Sequence, residues 1–245
     1  MIRAVEELAM NAWPSLQSML YDGWVLRFAD GYTKRANSVH PLYSSSLNVE
    51  EKIQACEEIY RSKELDVVFK LTPSAQPEKL DLVLAAKGYK ADSHTSVQLL
   101  ELDGVDKAPT QSALLTEDYD DWLLAFCKLS NGGGHREPML KQLLHNVVPA
   151  RCFASIRHQG QVVACGMGVL QGQFVGLFDI VTDANFRRQG FGRQLMFNIL
   201  AWGKSNGAHT AYLQVMLNNE PALRLYSGLG FRQIYTYWYR IMQNP

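Results

Sequence analysis

The sequence has few cysteines, no excess of either charge and no long apolar run. Its four cysteines, Cys56, Cys127, Cys152 and Cys165, are scattered without a C-x-x-C pair. That spacing supports neither a disulfide framework nor a zinc site, and it predicts reduced core thiols and no metal. Lys+Arg and Asp+Glu stand at 24 each among 245 residues, so no global field draws the chain to nucleic acid or an anionic membrane. A basic stripe is also missing, which argues against a nucleic-acid partner. No apolar run reaches membrane-spanning length. The stretch MIRAVEELAMNAWPSLQSML carries two glutamates where a signal peptide has a basic start and an apolar core. The expectation is a cytoplasmic protein that holds any polyanion by local geometry.

What is present suits an ordinary globular chain, 47% hydrophobic and 20% charged, with room for one large domain or two small ones. Apolar periodicity breaks at ELDGVDKAPTQSALLT, residues 101–116, which reads as a linker. Before it, aromatic and β-branched residues around Gly31 predict paired strands. A helix follows, with Val49, Ile53, Cys56 and Tyr60 on one face and Asn48 as its cap. DVVFKLTP reads as a buried strand, PEKLDLVLAAKGYK as a helix ending at Gly88, and HTSVQLLEL as an alternating strand. After the linker, TEDYDDWLLAFCKLS and REPMLKQLLHNVV read as helices, the first from a Thr cap. Strands turned at Gln159-Gly160 and Gln171-Gly172 follow, and then DANFRRQGFGRQL opens a helix running to about Lys204. TAYLQVM is a strand, NEPALRLYSGLGF a helix closed by glycine, and RQIYTYWYRIM a final strand. The two halves share this order, and 40 residues separate both Asn48 from Gly88 and Gly190 from Gly230, which points to an internal duplication.

DANFRRQGFGRQL sets Gly190 and Gly192 among Arg187, Arg188 and Arg193. At a helix start the first N–H groups lack internal partners and, with the dipole, attract an anion. A phosphate approaches backbone only where side chains are absent, and arginines add charge-assisted hydrogen bonds. A dinucleotide fingerprint would need a third glycine, and a P-loop a Gly-Lys-Ser/Thr run; neither is here. NGGGHREP has the look of an esterase oxyanion loop, but no G-x-S-x-G elbow accompanies it. Residues alone leave two readings open, a tight strand-to-helix turn and an anion cradle.

Arg187-Arg188-Gln189-Gly190-Phe191-Gly192 resembles the Q/R-x-x-G-x-G/A loop of the GCN5-related N-acetyltransferases (GNAT). Asn219, Ala222, Leu225-Tyr226 and Gly230-Phe231 resemble that family's tyrosine-helix motif, in the same order and at the same spacing. The resemblance covers about residues 112–245. It implies an α/β (α+β) GNAT fold in two tandem modules, each a mixed, mostly antiparallel sheet flanked by helices. The divisions are a degenerate module over 1–105 and an acetyl-CoA-binding module over 112–245. In the first, SSSLNVEE takes the place of the glycine loop and Leu84 that of Tyr226, so it is expected to shape the acceptor site or support the second.

The resemblance implies N-acetyl transfer from acetyl-CoA to a primary amine of a small molecule or peptide, by direct attack in a ternary complex. The pyrophosphate would sit on the backbone from Arg188 to Arg193, and the pantetheine arm would pair with Ile180, Val181 and Thr182 on a splayed strand. Tyr226 would protonate the departing sulfur, with a core aromatic as its plain alternative. Asn219 would hold the arm, cap a helix, or do both. A main-chain N–H near Val181 would polarise the carbonyl. The glutamate some relatives use as base is Gln214 here, and Asp179 is either its substitute or a structural carboxylate. Cys165 reads as core, and His135 as an acceptor contact or a connector. Trp24, Arg27, Arg35 and Asn37 resemble a pattern in some two-module bacterial acetyltransferases, with buried strand contacts as the alternative. A non-catalytic acyl-CoA sensor and a longer acyl-CoA are the rival readings, in a monomer or homodimer.

Overall fold

The computed structural model describes residues 1–104, 109–130 and 137–244. His135 and its three neighbouring glycines lie outside them. The chain forms two compact units. One comprises Met1–Ser96, Met216–Asn218 and Tyr235–Pro245; the other comprises Val97–Val215 and Asn219–Ile234. Residues 216–218 and 235–245, which a sequential division places in the second stretch, therefore group with the first unit.

The first unit opens with α1 (Ile2–Ala12), then β1 (Gln17–Tyr21), β2 (Trp24–Phe28) and the short β3 (Val39–His40). α2 (Val49–Arg61), β4 (Val67–Leu71), α3 (Leu80–Ala86) and β5 (Lys90–Glu101) follow. β1 and β2 form a hairpin on Asp22-Gly23, both at positive φ, the pairing expected of an Asp-Gly turn. β2 pairs antiparallel with β3 across the Gly31 segment, and β3 lies parallel to β4, Val39 opposite Phe69. The neighbour of β4 on its other side is β11 (Arg232–Met242), antiparallel with Trp238 opposite Leu71.

α2 forms where its periodicity places it. Asn48 accepts from the Glu50 and Glu51 amides at 2.9 and 3.3 Å, and Ile53, Cys56 and Tyr60 are fully buried. They join Trp24, Phe69, Leu80, Leu84 and Tyr89 in one core, with Trp24 edge-on to Phe69 at 5.6 Å. Burying a large aliphatic or aromatic side chain contributes about 1.5–3 kcal/mol, so this cluster dominates the unit's stability.

Arg27, Asn37, Trp24 and Arg35 make buried contacts here. Arg27 donates to the carbonyls of Arg35 (2.6 Å), Trp13 (2.5 Å) and Met10 (3.1 Å). Asn37 Oδ1 accepts from the Ala29 and Gly31 amides, Trp24 Nε1 donates to the Gln76 carbonyl, and Arg35 lies 4.7 Å over the Trp13 ring. Arg27, Asn37 and Arg35 fold the long β2–β3 connection onto α1 and its C-terminal flank. Glu6 and Lys70 pair at 2.6 Å, with Tyr235 donating to the other Glu6 oxygen at 2.8 Å.

His40 is enclosed, with Ser38 Oγ 3.1 Å from its Nε2. Burial first, then the charges of Arg27 and Lys70, hold it neutral well below its ordinary pKa. Below about pH 6.5 the unfolded chain takes up a proton that the folded one refuses, so stability falls with acid. The expected slope is about 1.4 kcal/mol per pH unit from this site. His40→Asn should flatten that part of a denaturation-versus-pH profile.

The second unit takes the end of β5 from Val97, then β6 (Leu114–Thr116), α4 (Asp120–Leu129), α5 (Glu137–His145) and β7 (Ala150–His158). β8 (Gln161–Gln171), β9 (Phe174–Thr182), α6 (Phe191–Ser205), β10 (Thr210–Met216) and α7 (Glu220–Ser227) follow. The strand order is β5-β10-β9-β8-β7-β6. β9 and β10 are parallel, and β6 to β9 are successively antiparallel. This is the mixed, helix-flanked α/β sheet that the resemblance implies.

Part of the expected linker is structured. Leu114–Thr116 pairs with β7, and Gln194 and Asn198 on α6 accept from the amides of Thr110, Gln111 and Ala113. Thr116 does not cap α4, which starts from Tyr119 without a side-chain cap. Both units end their last short helix alike. Gly88 (φ 92°) and Gly230 (φ 99°) are left-handed, and Tyr89 and Phe231 donate back to Leu84 and Tyr226 at 3.1 and 3.0 Å. Among the described residues no helix is long and apolar enough to cross a membrane.

Candidate active site

β9 and β10 begin as parallel neighbours, from Thr210 opposite Phe174 to Leu213 opposite Leu177. Among the described residues their register covers no later pair, so Phe178–Thr182 and Gln214–Met216 run on beyond it. On its other side β9 keeps β8, with Cys165 opposite Val181. Between that pair and Met167↔Phe178, Asp179 and Ile180 stand against the single residue Gly166, and Asp179 takes φ 51°. Such a bulge bends and twists its strand, which is the local cause of the parting. Val175–Phe178 are buried, whereas Asp179–Thr182 are half-buried.

Asp183 then caps a short 3-10 turn, accepting from the Asn185 amide at 2.8 Å. Arg188 (φ 61°) and Gly190 (φ 89°) are left-handed, and α6 starts at Phe191 with no side chain capping it. The two glycines serve different needs. A Cβ on Gly190 would meet nothing within 4 Å, so its left-handed φ is the constraint. A Cβ on Gly192 would lie 3.1 Å from Thr182 Oγ1 and 3.6 Å from Leu225 Cδ2, so close approach is. One on Gly228 would lie 2.9 Å from a guanidinium nitrogen of Arg193. The end of β9, the first turn of α6 and α7 thus converge.

Around this loop, Arg187 donates to the Thr182 carbonyl at 3.4 Å and Gln189 to that of Asn185 at 3.3 Å. Phe191 turns its ring inward against His158 (5.3 Å) and Phe186 (6.1 Å), which anchors the loop from beneath. On α7, Asn219 caps the helix, accepting from the Ala222 amide at 3.3 Å. Tyr226 is buried in the same core as Phe191 and Leu195, its ring 6.1 Å from Phe231. Burial pushes its phenol up to about 12, so it holds its proton throughout the neutral range.

Gln214 is half-buried on β10 just past the last pair with β9. Cys165 is fully buried; burial, then the charge of Asp179, pushes its thiol well up, and it stays protonated as core. Thr182, Gly192 and Leu225, all named by the resemblance, meet here. The bulge at Asp179-Ile180, the Thr182 hydroxyl against Gly192 and the His158–Phe186–Phe191 support were not expected from the sequence. An aspartate in a strand was the only local hint of the bulge. Among the described residues no group of three or more His, Cys, Asp or Glu is placed to hold a metal ion.

Comparison with known proteins agrees with this geometry. The family described as "Probable histone acetyltransferase Rv0428c C-terminal" matches residues 1–240, across both units. The uncharacterized N-acetyltransferase YobR of Bacillus subtilis (strain 168) is 30% identical over 247 residues, 98% of each chain. The probable histone acetyltransferase Rv0428c of Mycobacterium tuberculosis (strain ATCC 25618 / H37Rv) is 28% identical over 235 residues, 94% of this chain and 70% of that one. A solved GCN5-related N-acetyltransferase from Kribbella flavida has the same fold, with a TM-score of 0.73 at 17% identity over 99% of this chain and 96% of that one. The parted strand pair, the glycine-opened helix start and the buried tyrosine thus stand in a chain that belongs to the Rv0428c C-terminal family of probable histone acetyltransferases and has the fold of a GCN5-related N-acetyltransferase.

Proposed function

We propose that the second unit transfers an acetyl group from acetyl-CoA to a primary amine of a small molecule or peptide. The observation that carries this reading is the parting of β9 from β10 beside an uncapped, glycine-opened start of α6. Acetyl-CoA, when bound, supplies the acetyl group as an activated thioester. The residues fit such a molecule. The backbone from Arg188 to Arg193 offers amides and open space for a pyrophosphate, with Arg187, Arg188 and Arg193 adding charge and Gln189 and Phe191 shaping the loop. Ile180, Val181 and Thr182 offer a strand edge to a pantetheine arm, and Asn219 is positioned by its own capping bond.

Tyr226 Oη holds its proton at neutral pH and is the donor to a departing sulfur. The Val181 N–H polarises the carbonyl under attack. Asp179, held at the bulge, takes the proton from the incoming amine. Rv0428c carries the name probable histone acetyltransferase, so protein amines are among the acceptors to try. The first unit fits a second copy of the same plan that has lost its glycine loop and carries Leu84 in place of the tyrosine.

Steady-state acetylation of a panel of amines and peptides tests the reading, with acetyl-CoA and longer acyl-CoAs as donors. Transfer from acetyl-CoA supports it. Tight CoA binding without transfer to any acceptor favours a sensor, and preference for a longer chain favours another acyl donor. Gly190→Ala gives a second check. A left-handed non-glycine residue costs about 1–2 kcal/mol, and the added methyl meets no protein atom within 4 Å. Modest destabilisation is expected in the free protein. Calorimetry should show a further loss of about tenfold or more in CoA affinity, because the methyl intrudes where a phosphate must meet the backbone.

A further inference from the structure

In the first unit the loop before α2 carries a group of donors converging on one carboxylate. Asp22, at the tip of the β1–β2 hairpin, accepts from the Ser46 amide at 3.1 and 3.0 Å, one to each oxygen, and from the Leu47 amide at 2.9 Å. The hydroxyls of Ser45 and Ser46 add bonds at 2.9 and 2.8 Å. Lys52, fully buried, brings its ammonium to 3.0 Å from Asp22 Oδ2 and donates to the Asp22 carbonyl at 2.6 Å. The same ammonium bonds Ser45 Oγ and lies 4.0 Å over the Trp24 ring.

This is not the start of α2 itself, whose first amides are taken by Asn48. It is a separate receptacle of two amides, two hydroxyls and a buried ammonium, the donor set that receives a phosphate elsewhere. Asp22 is delivered to it by backbone geometry. Its φ is 40° and that of Gly23 is 81°, and a Cβ on Gly23 would lie 2.2 Å from the Ser44 carbonyl oxygen. The hairpin tip is therefore pressed against the loop. The Leu47 and Ser46 bonds, with those of Lys52 and Ser45, keep the carboxyl far below the usual carboxylate range.

We propose that this loop is an anion site that the chain fills for itself: Asp22 is its permanent ligand and closes it to any phosphate from outside. The site lies in the same place in the element order as the glycine loop of the second unit. The proposal holds whatever the second unit acetylates, since its test uses inorganic phosphate and no acyl transfer.

Thermal unfolding of the full chain, in phosphate and in chloride of matched ionic strength, tests it on two variants. Asp22→Gly vacates the receptacle and suits the left-handed backbone; Asp22→Asn keeps it filled but uncharged. Both are expected to unfold several degrees below wild type in chloride. Phosphate should then restore at least half of the loss in D22G, by binding the folded state, and should do little for D22N. A gain common to wild type and variants belongs to other anion sites and cancels. If D22G does not fold in chloride, its refolding yield in the two salts is the readout, and rescue by phosphate alone is the expected result. The proposal is overturned if D22G is as stable as wild type, or if phosphate helps it no more than it helps wild type or D22N.

Discussion

Replacing Tyr226 by phenylalanine is expected to lower kcat for acetyl transfer by about 10²-fold or more, the range of a positioned general acid, while leaving CoA affinity nearly unchanged. The ring stays in its core among Phe191, Leu195 and Phe231, so packing survives and only the hydroxyl is lost. Burial holds the phenol near 12, so no loss of activity should arise from Tyr226 ionisation below about pH 10. Steady-state kinetics and calorimetry on the two proteins check both halves of this. Equal kcat values would remove Tyr226 from the chemistry, and weakened CoA binding would make it a binding residue.

The largest expected effect on stability comes from Lys70→Met. Lys70 and Glu6 are both buried, 3% and 0% exposed, and they pair at 2.6 Å. The ammonium also lies 3.9 Å from the centre of the Tyr237 ring. Methionine fills the space of the stem but leaves the Glu6 carboxylate with its Tyr235 bond and without its paired ammonium. Breaking a buried pair in this way costs about 3–5 kcal/mol, because a charge is left uncompensated. Hydrogen exchange across β4 and β11 should quicken by about 10²-fold to several thousand-fold, since each 1.4 kcal/mol is about tenfold. The double variant Glu6→Gln, Lys70→Met should recover much of the loss. If the single variant exchanges like wild type, the pair contributes little to holding the unit together.

What was legible in the sequence was local. Asn48 announced the start of α2 and Gly88 the end of α3, because caps and left-handed closures act within a few residues. Gly190 and Gly192 were legible because a left-handed φ and a close approach each favour glycine, and Tyr226 through the resemblance of its helix motif. Trp238 opposite Leu71 was not, since the partner of a strand is chosen by distant packing. The same holds for Arg27, whose three carbonyl acceptors come from α1, its C-terminal flank and a loop. The Asp-Gly pair at residues 22–23 went unread beside Gly31, although such a pair between strands is a hairpin signal; where its carboxylate lands is set by residues distant in sequence.

The placement of β11 also bears on how the chain is made. The first unit begins with α1 yet includes Tyr235 and Trp238, and Glu6 finds its partner hydroxyl on Tyr235. Synthesis runs from the N-terminus, so β4 emerges long before the strand that pairs with it. Until then its edge is a bare row of amides and carbonyls, the kind of surface that recruits foreign strands. A chain cut short before residue 235 would leave β4 with that edge unpaired.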